Sequence, residues 1–399
     1  MDIDLITQSE AVAEHIVVKQ MEYETDNESV LKGTFDDYAR EWWNDYKQIR
    51  ESHKKRVVPI FVETDERDLR VYRPATSLLT VLRPSRYIES PFHAFRFVSL
   101  IPLERSEALG GKRIERWSSF HSFLARGCGD VEDHCTLLCS LLLGFGLEAY
   151  VAVGTAGGEP HVWVITRVPK VGSPLKTIDF WETMTGQRME LTDPRVNKFY
   201  KTITCVFGYN KFYANIQPSD KVSATKFDFE NDSHWKAMDE EQLKKIAPLN
   251  FPVSFREPEG LKSLEETEAV LKEKISDYRM SSMLVSTYFD EGLSYILSPA
   301  LVNYELERIS GLTFGNEEFK AAIAQAVPDG HTFKAFPIQV QSTDPKQIFA
   351  CIIQNKTGRE VLDTKGDSIR FAIRTKLIAY PEHISATWTI IAVRYRSID

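Results

Sequence analysis

Three of the chain's five cysteines, Cys128, Cys135 and Cys139, crowd into the stretch RGCGDVEDHCTLLCSLLLGFGLEAYVAVG at 126–154. A thiolate is both a nucleophile and a soft metal ligand, so two chemistries present themselves. The first is thiol acyl transfer, in which a cysteine at a helix N-terminus is acidified by the helix dipole. A histidine then takes its proton and a carboxylate holds that histidine in the working tautomer. His161 supplies the base downstream, and Asp179 and Glu182 supply the acids. The second is a zinc site from Cys128, His134, Cys135 and Cys139. No CxxC pair exists among them, and neighbouring helical residues such as 134 and 135 point apart. Neither a metal nor a cofactor is therefore expected, and buried, inert sulfur is the default for Cys135, Cys139, Cys205 and Cys351.

The elements around these residues give them an order in space. Asp130 reads as a helix cap, with Glu132 and Asp133 in the electropositive first turn. Cys135 to Leu143 is apolar almost all round, the pattern of a helix buried on every side, and Gly144 and Gly146 end it. AYVAVG, HVWVIT and TIDFWET read as three strands separated by the turn-rich GTAGGEP and by RVPKVGSPLK. His161 opens the second of these strands, and Asp179 and Glu182 lie on the third.

This order, with G-D-x-E-D-H, an apolar helix ending G-F-G-L-E-A-Y, then H-x-W-V and F-W-E-x-x-T-G, resembles the transglutaminase-like papain-fold family. The resemblance implies that Gly129-Asp130 match the lead-in to the nucleophile, His161 the base, and Glu182 after Trp181 the acidic third member. Trp163 and Asp179 complete the supporting frame. The nucleophile falls on position 131, and that residue is Val131. Valine has no ionisable or nucleophilic atom, so the acyl-enzyme route is closed there. Cys135, about 6 Å deeper on the same helical face, and Cys128, two residues before the cap, remain the alternative nucleophiles.

Elsewhere the pattern is that of a globular α+β chain. Hydrophobic residues make up 43% and charged residues 27%, and the formal charge of −8 provides no general attraction to nucleic acid or anionic lipid. The five cysteines fit a reducing compartment, and no apolar run reaches membrane-spanning length, so a cytoplasmic protein is expected. Residues 1–32 read as an acidic tail. Phe35, Tyr38, Trp42, Trp43 and Tyr46 in FDDYAREWWNDYKQI form an aromatic helical face whose expected use is core contact. RVVPIFVETD reads as a strand, and PLNFPVSFREPEG as the domain boundary. Ser263 to Glu266 reads as a capping box for a helix to about Tyr278. EGLSYILSPALVNYELERI and NEEFKAAIAQAV, the latter capped by Asn316, read as further helices. In SIRFAIRTKLIAY, Ile369, Phe371, Ile373 and Leu377 face away from Arg370, Arg374 and Lys376, as in a half-buried sheet.

The expected architecture is a degenerate transglutaminase-like (papain-like) domain at 33–256, with an antiparallel sheet packed on a buried helix. A helical and β-rich C-terminal module follows at 261–399. Long phrases such as CVFGYNKFYANIQPSD, FDFENDSHWKAM and HTFKAFPI resemble the family of the 76-kilodalton centrosomal protein, whose peptidase-like region is shared with a dynein regulatory complex subunit. That family's N-terminal C2 domain is not expected in residues 1–32. The resemblance implies a non-enzymatic centriolar or ciliary scaffold of the cytoskeleton that acts in centriole duplication control or axoneme and basal-body assembly. Its implied partners are centriolar, basal-body or axonemal proteins, microtubule-associated ones among them; from the charge and hydropathy, no nucleic acid partner and no membrane span are expected. Two other uses of the site stay open: a thiol hydrolase or transferase running on Cys128 or Cys135 with His161, and a degenerate cleft that holds a peptide without cutting it.

Overall fold

A helix that is apolar almost all round has to be covered on every side, and the run from Cys135 to Leu143 is such a helix. The computed structural model describes residues 33–66, 69–104, 117–169, 176–246, 248–250, 253–258, 264–314 and 317–397. They group into two compact units, one from residues up to Arg83 with Leu103–Val253, the other from Pro84–Pro102 with Ser254–Asp399. The acidic tail read at 1–32 lies outside the described residues.

In the first unit, residues 33–49 form helix α1. Phe35, Trp42 and Tyr46 of its aromatic face are buried, while Tyr38 and Trp43 are half-buried. Trp42 Nε1 donates to the Ala237 carbonyl at 2.8 Å and Tyr46 Oη to that of Asn215 at 3.2 Å. The face is thus a core contact, each polar tip finding a carbonyl. The strand read in RVVPIFVETD is β1 (Phe61–Glu66), which pairs antiparallel with β2 (Leu69–Pro74), a strand not anticipated. Helix α2 (Pro91–Leu100) belongs to the second unit.

Helices α3 (Phe120–Arg126) and α4 (Val131–Gly144) lead into a seven-stranded sheet. Its strands are β3 (Glu148–Ala156), β4 (Glu159–Pro169), β5 (Lys176–Glu182), β6 (Gln187–Glu190), β7 (Tyr200–Gly208), β8 (Lys211–Asn215) and β9 (Trp235–Ala237), with the short helix α5 (Pro194–Phe199) before β7 and α6 (Glu240–Leu243) after β9. The order is β6-β5-β4-β3-β7-β8-β9, antiparallel throughout. Central β3 is buried continuously from Ala149 to Gly154, which explains why AYVAVG shows no polar alternation. Trp163, Phe180, Tyr200, Phe229 and Trp235 share one core on this sheet. Helix α4 packs against β3 and β4, and every residue from Glu132 to Leu142 is buried. At Gly154 the register between β3 and β7 shifts, and a Cβ would lie 1.9 Å from the Thr202 carbonyl oxygen, so only glycine fits.

The second unit gathers α7 (Glu265–Met283), α8 (Glu291–Ile296), α9 (Ser298–Ser310), α10 (Glu317–Ala326), α11 (Pro345–Gln354) and α12 (Lys356–Leu362) around an antiparallel sheet in the order β10-β12-β11. The strands are β10 (Thr332–Val340), β11 (Asp367–Ala379) and β12 (Ser385–Arg396). Leu271, Ile275, Ile352, Phe371, Ile391 and Val393 are in its core. On β11, Phe371, Ile373 and Leu377 are buried and the alternate basic residues half-exposed. Three local expectations change. Helix α7 runs on to Met283, and Leu264 at its N-cap makes no side-chain capping bond; Ser263 and Asn316 fall outside the described residues. The single helix read in EGLSYILSPALVNYELERI breaks at Leu297, because Pro299 has no N–H to continue α8 and is tolerated only in a new first turn. Finally, α2 joins this unit through Arg96, which forks onto Glu305 of α9 at 2.8 and 2.9 Å.

Candidate functional site

The site starts at the cap of α4. Asp130 Oδ1 accepts from the Asp133 amide at 3.0 Å, as an N-cap aspartate should. Asp133 accepts in turn from the Ser118 amide at 2.8 Å and from Arg126 Nη2 at 3.0 Å. Burial pushes the Asp133 carboxyl up to about 7, with the charge on Asp130 adding to the effect. Burial likewise raises Asp130. Gly129 has no room for a side chain, since a Cβ would lie 2.6 Å from the Phe123 ring. Val131, the first residue of α4, is half-buried.

His161 and Glu182 are brought together. His161 Nε2 donates to Glu182 Oε2 at 2.8 Å. The same carboxylate accepts from Tyr200 Oη at 3.0 Å and, through Oε1, from the Met184 amide at 3.2 Å. Burial and then the Glu182 charge drive the Tyr200 phenol far above its ordinary range. The His161 ring lies nearly parallel to Trp163 at 6.1 Å and edge-on to Phe199 at 5.8 Å. Tyr200 is a site residue that the motif order does not mark. Its only signal was an aromatic strand, and nothing in that strand indicates where its hydroxyl points.

Asp179 does not join this pair. Positions 179 and 182 differ by three on one strand, so their side chains leave opposite faces. Asp179 accepts from Arg188 Nη2 at 2.7 Å, and burial raises its carboxyl. Trp181, on the same side, donates from Nε1 to Thr166 Oγ1 at 2.9 Å.

Both alternative thiols are engaged. Cys135 is fully buried, with Sγ 3.5 Å from the Val162 carbonyl and 3.7 Å from Thr183 Oγ1. These partners are the sequence neighbours of His161 and Glu182, so the second turn of α4 adjoins the chain segments that carry the pair. Burial, followed by the charge of Glu182, holds the Cys135 thiol well above its usual range. Cys128 is partly exposed and donates to Glu104 Oε2 at 3.0 Å, and that carboxylate raises its thiol. Burial raises Cys139 and Cys205 as well. Of the zinc candidates, His134 turns Nδ1 to the Asp130 carbonyl and rests its ring 5.0 Å from Phe123. Among the described residues, no group of three or more His, Cys, Asp or Glu is placed to hold a metal ion, and no helix is long and apolar enough to cross a membrane.

An antiparallel sheet on a buried, acid-capped helix, with a histidine–carboxylate pair at adjoining strand ends, defines a peptidase-like domain, followed by a separate helix-and-sheet domain. Comparison with known proteins agrees. Residues 115–238 match the CEP76 peptidase-like domain, and residues 258–396 match the centrosomal protein of 76 kDa C-terminal domain. The centrosomal protein of 76 kDa from Danio rerio is 39% identical and that from Xenopus tropicalis 38%, each over 98% of this chain and 61% of the relative. Human protein CC2D2B is 26% identical over 74% of this chain and 20% of its own length. The chain belongs to the family of the centrosomal protein of 76 kDa, and it spans about three-fifths of the length of these curated centrosomal relatives.

Proposed function

We propose that this chain is a non-enzymatic scaffold or regulatory protein of the centrosome, centriole or cilium, built on an inactive transglutaminase-like domain. It works by binding centriolar, basal-body or axonemal proteins, microtubule-associated ones among them, in centriole duplication control or in axoneme and basal-body assembly. One observation carries the inactive reading: Val131 opens α4 directly after the capping Asp130, where the transglutaminase pattern needs a nucleophile. The retained His161–Glu182 pair then ties β4 to β5 and, through Tyr200, to β7. Cys128 and Cys135 are poor substitutes, because a thiol hydrogen-bonded to a carboxylate or sealed under a carbonyl resists ionisation. The shared name of the relatives supports the cellular address.

Iodoacetamide labelling against pH tests the inactive site. The unaltered chain has no thiol that reacts fast below about pH 7, and Val131→Cys adds one whose speed is lost in the Val131→Cys, His161→Ala double variant. A fast His161-dependent thiol in the unaltered chain overturns the inactive reading, and a Val131→Cys thiol indifferent to His161 overturns the transglutaminase-like frame. For the cellular address, exclusion of the fluorescently tagged chain from centrosomes and cilia of ciliated cells is the contrary result.

A further inference from the structure

A groove of about 880 Å³ runs between α1 and the β1–β2 hairpin. Asp36, Arg40 and Trp43 line it from α1, at the spacing of one helical stripe. This stripe is distinct from the core residues Phe35, Trp42 and Tyr46. Ile60, Val71 and Tyr72 line the other wall, so the groove is mostly apolar and of a size that holds several side chains.

Two features specify what fits. The first is an unsatisfied carboxyl oxygen. Asp36 Oδ1 is shielded from water and has no hydrogen-bond partner. Arg40, one turn along, approaches Asp37 instead, at 3.5 Å. Removing a carboxylate oxygen from water without a donor is unfavourable, and an incoming ammonium or guanidinium offsets that cost with a charge-assisted hydrogen bond. The second is an open strand edge. Among the described residues β2 pairs only with β1, whereas β1 also bridges from Thr64 to Trp117. Val71 and Tyr72 border the groove from β2, and Val58 to Phe61 border it from the start of β1.

We propose that this groove docks an extended segment of a partner protein in which a lysine or arginine is flanked by apolar residues. The segment's backbone pairs with the edge of β2, its apolar side chains lie on Trp43 and Val71, and its cation meets Asp36. The assignment stands on the groove alone and does not need the cellular address proposed above.

Phage-displayed peptides of about ten residues, selected on the full chain, test it. The enriched peptides carry a basic residue between apolar ones. A fluorescein-labelled copy, followed by anisotropy, binds Asp36→Asn about 10- to 100-fold more weakly. Norleucine in place of the peptide's cation weakens binding to the unaltered chain equally and costs nothing further on Asp36→Asn. With Asp36→Lys, selection turns to peptides bearing glutamate at that position. Absence of enrichment, enriched peptides without a cation, or equal binding to Asp36→Asn overturns the proposal.

Discussion

His161 Nε2 lies 2.8 Å from Glu182 Oε2, and that oxygen also accepts from Tyr200. A catalytic carboxylate orients one histidine; this one joins three strands. Glu182 is almost wholly buried and His161 largely so, so removing the acceptor strands three donors, His161, Tyr200 and the Met184 amide. Glu182→Ala is expected to destabilise the fold by about 3 kcal/mol, and His161→Phe by about 1 to 2 kcal/mol because Tyr200 and the Met184 amide still satisfy Glu182. Urea unfolding of the two variants gives both numbers.

Cys128 owes its raised thiol chiefly to the hydrogen bond it makes to Glu104. Glu104→Gln removes the negative charge, the thiol falls back toward its ordinary value, and more thiolate is present near pH 8. Alkylation of Cys128 is expected to speed up several-fold, with the remaining cysteines unchanged, as peptide mass mapping of the labelled chain will read.

Asp133 makes stability depend on pH. Its folded carboxyl titrates near 7 because of burial and Asp130, far above an unfolded aspartate, so the folded state holds the extra proton between these values. The stability it contributes is fully present below about pH 4 and is lost as pH rises to about 7, with a slope of at most about 1.4 kcal/mol per pH unit. Asp133→Asn is expected to remove this slope while keeping an acceptor for the Ser118 amide. Denaturant midpoints of the two proteins between about pH 4 and 7 provide the comparison.

In the second unit Glu305 gathers Arg96, Tyr380 and Trp388 as donors. Burial opposes its charge, but hydrogen bonds from Arg96, Tyr380 and Trp388 outweigh it and hold the carboxyl below its usual range. Arg96→Met leaves a buried carboxylate short of its counter-ion and is expected to cost about 3 to 5 kcal/mol. The double variant with Glu305→Met is expected to recover much of the loss, and a double-mutant cycle from thermal melts measures the coupling.

Much of the first unit was legible because its signals are local. The Asp130 cap, the all-round apolar run and Gly146 mark α4, and turn residues separate β3 from β4 and β4 from β5. The His161–Glu182 contact was legible as well, through motif order. What escaped reading depends on distance along the chain. Tyr200 meets Glu182 from another strand, and Arg96 meets Glu305 across 209 positions, pairings that no periodicity encodes. Apolar spacing continues through the break at Leu297, so periodicity alone does not mark it, and Pro299 is its one local sign. Asp179 and Glu182 are near in sequence on one strand, but strand alternation puts them on opposite faces.

Arg96 leaves the ribosome roughly 290 residues before Trp388, its fellow donor to Glu305. At about 5 to 20 residues per second, that interval lasts roughly 15 to 60 s. During synthesis α2 therefore waits without its mates, its apolar side uncovered, while the segment between Leu103 and Val253 can already condense. The later unit closes only once Trp388 has been made, which leaves α2 open to chaperones throughout that interval.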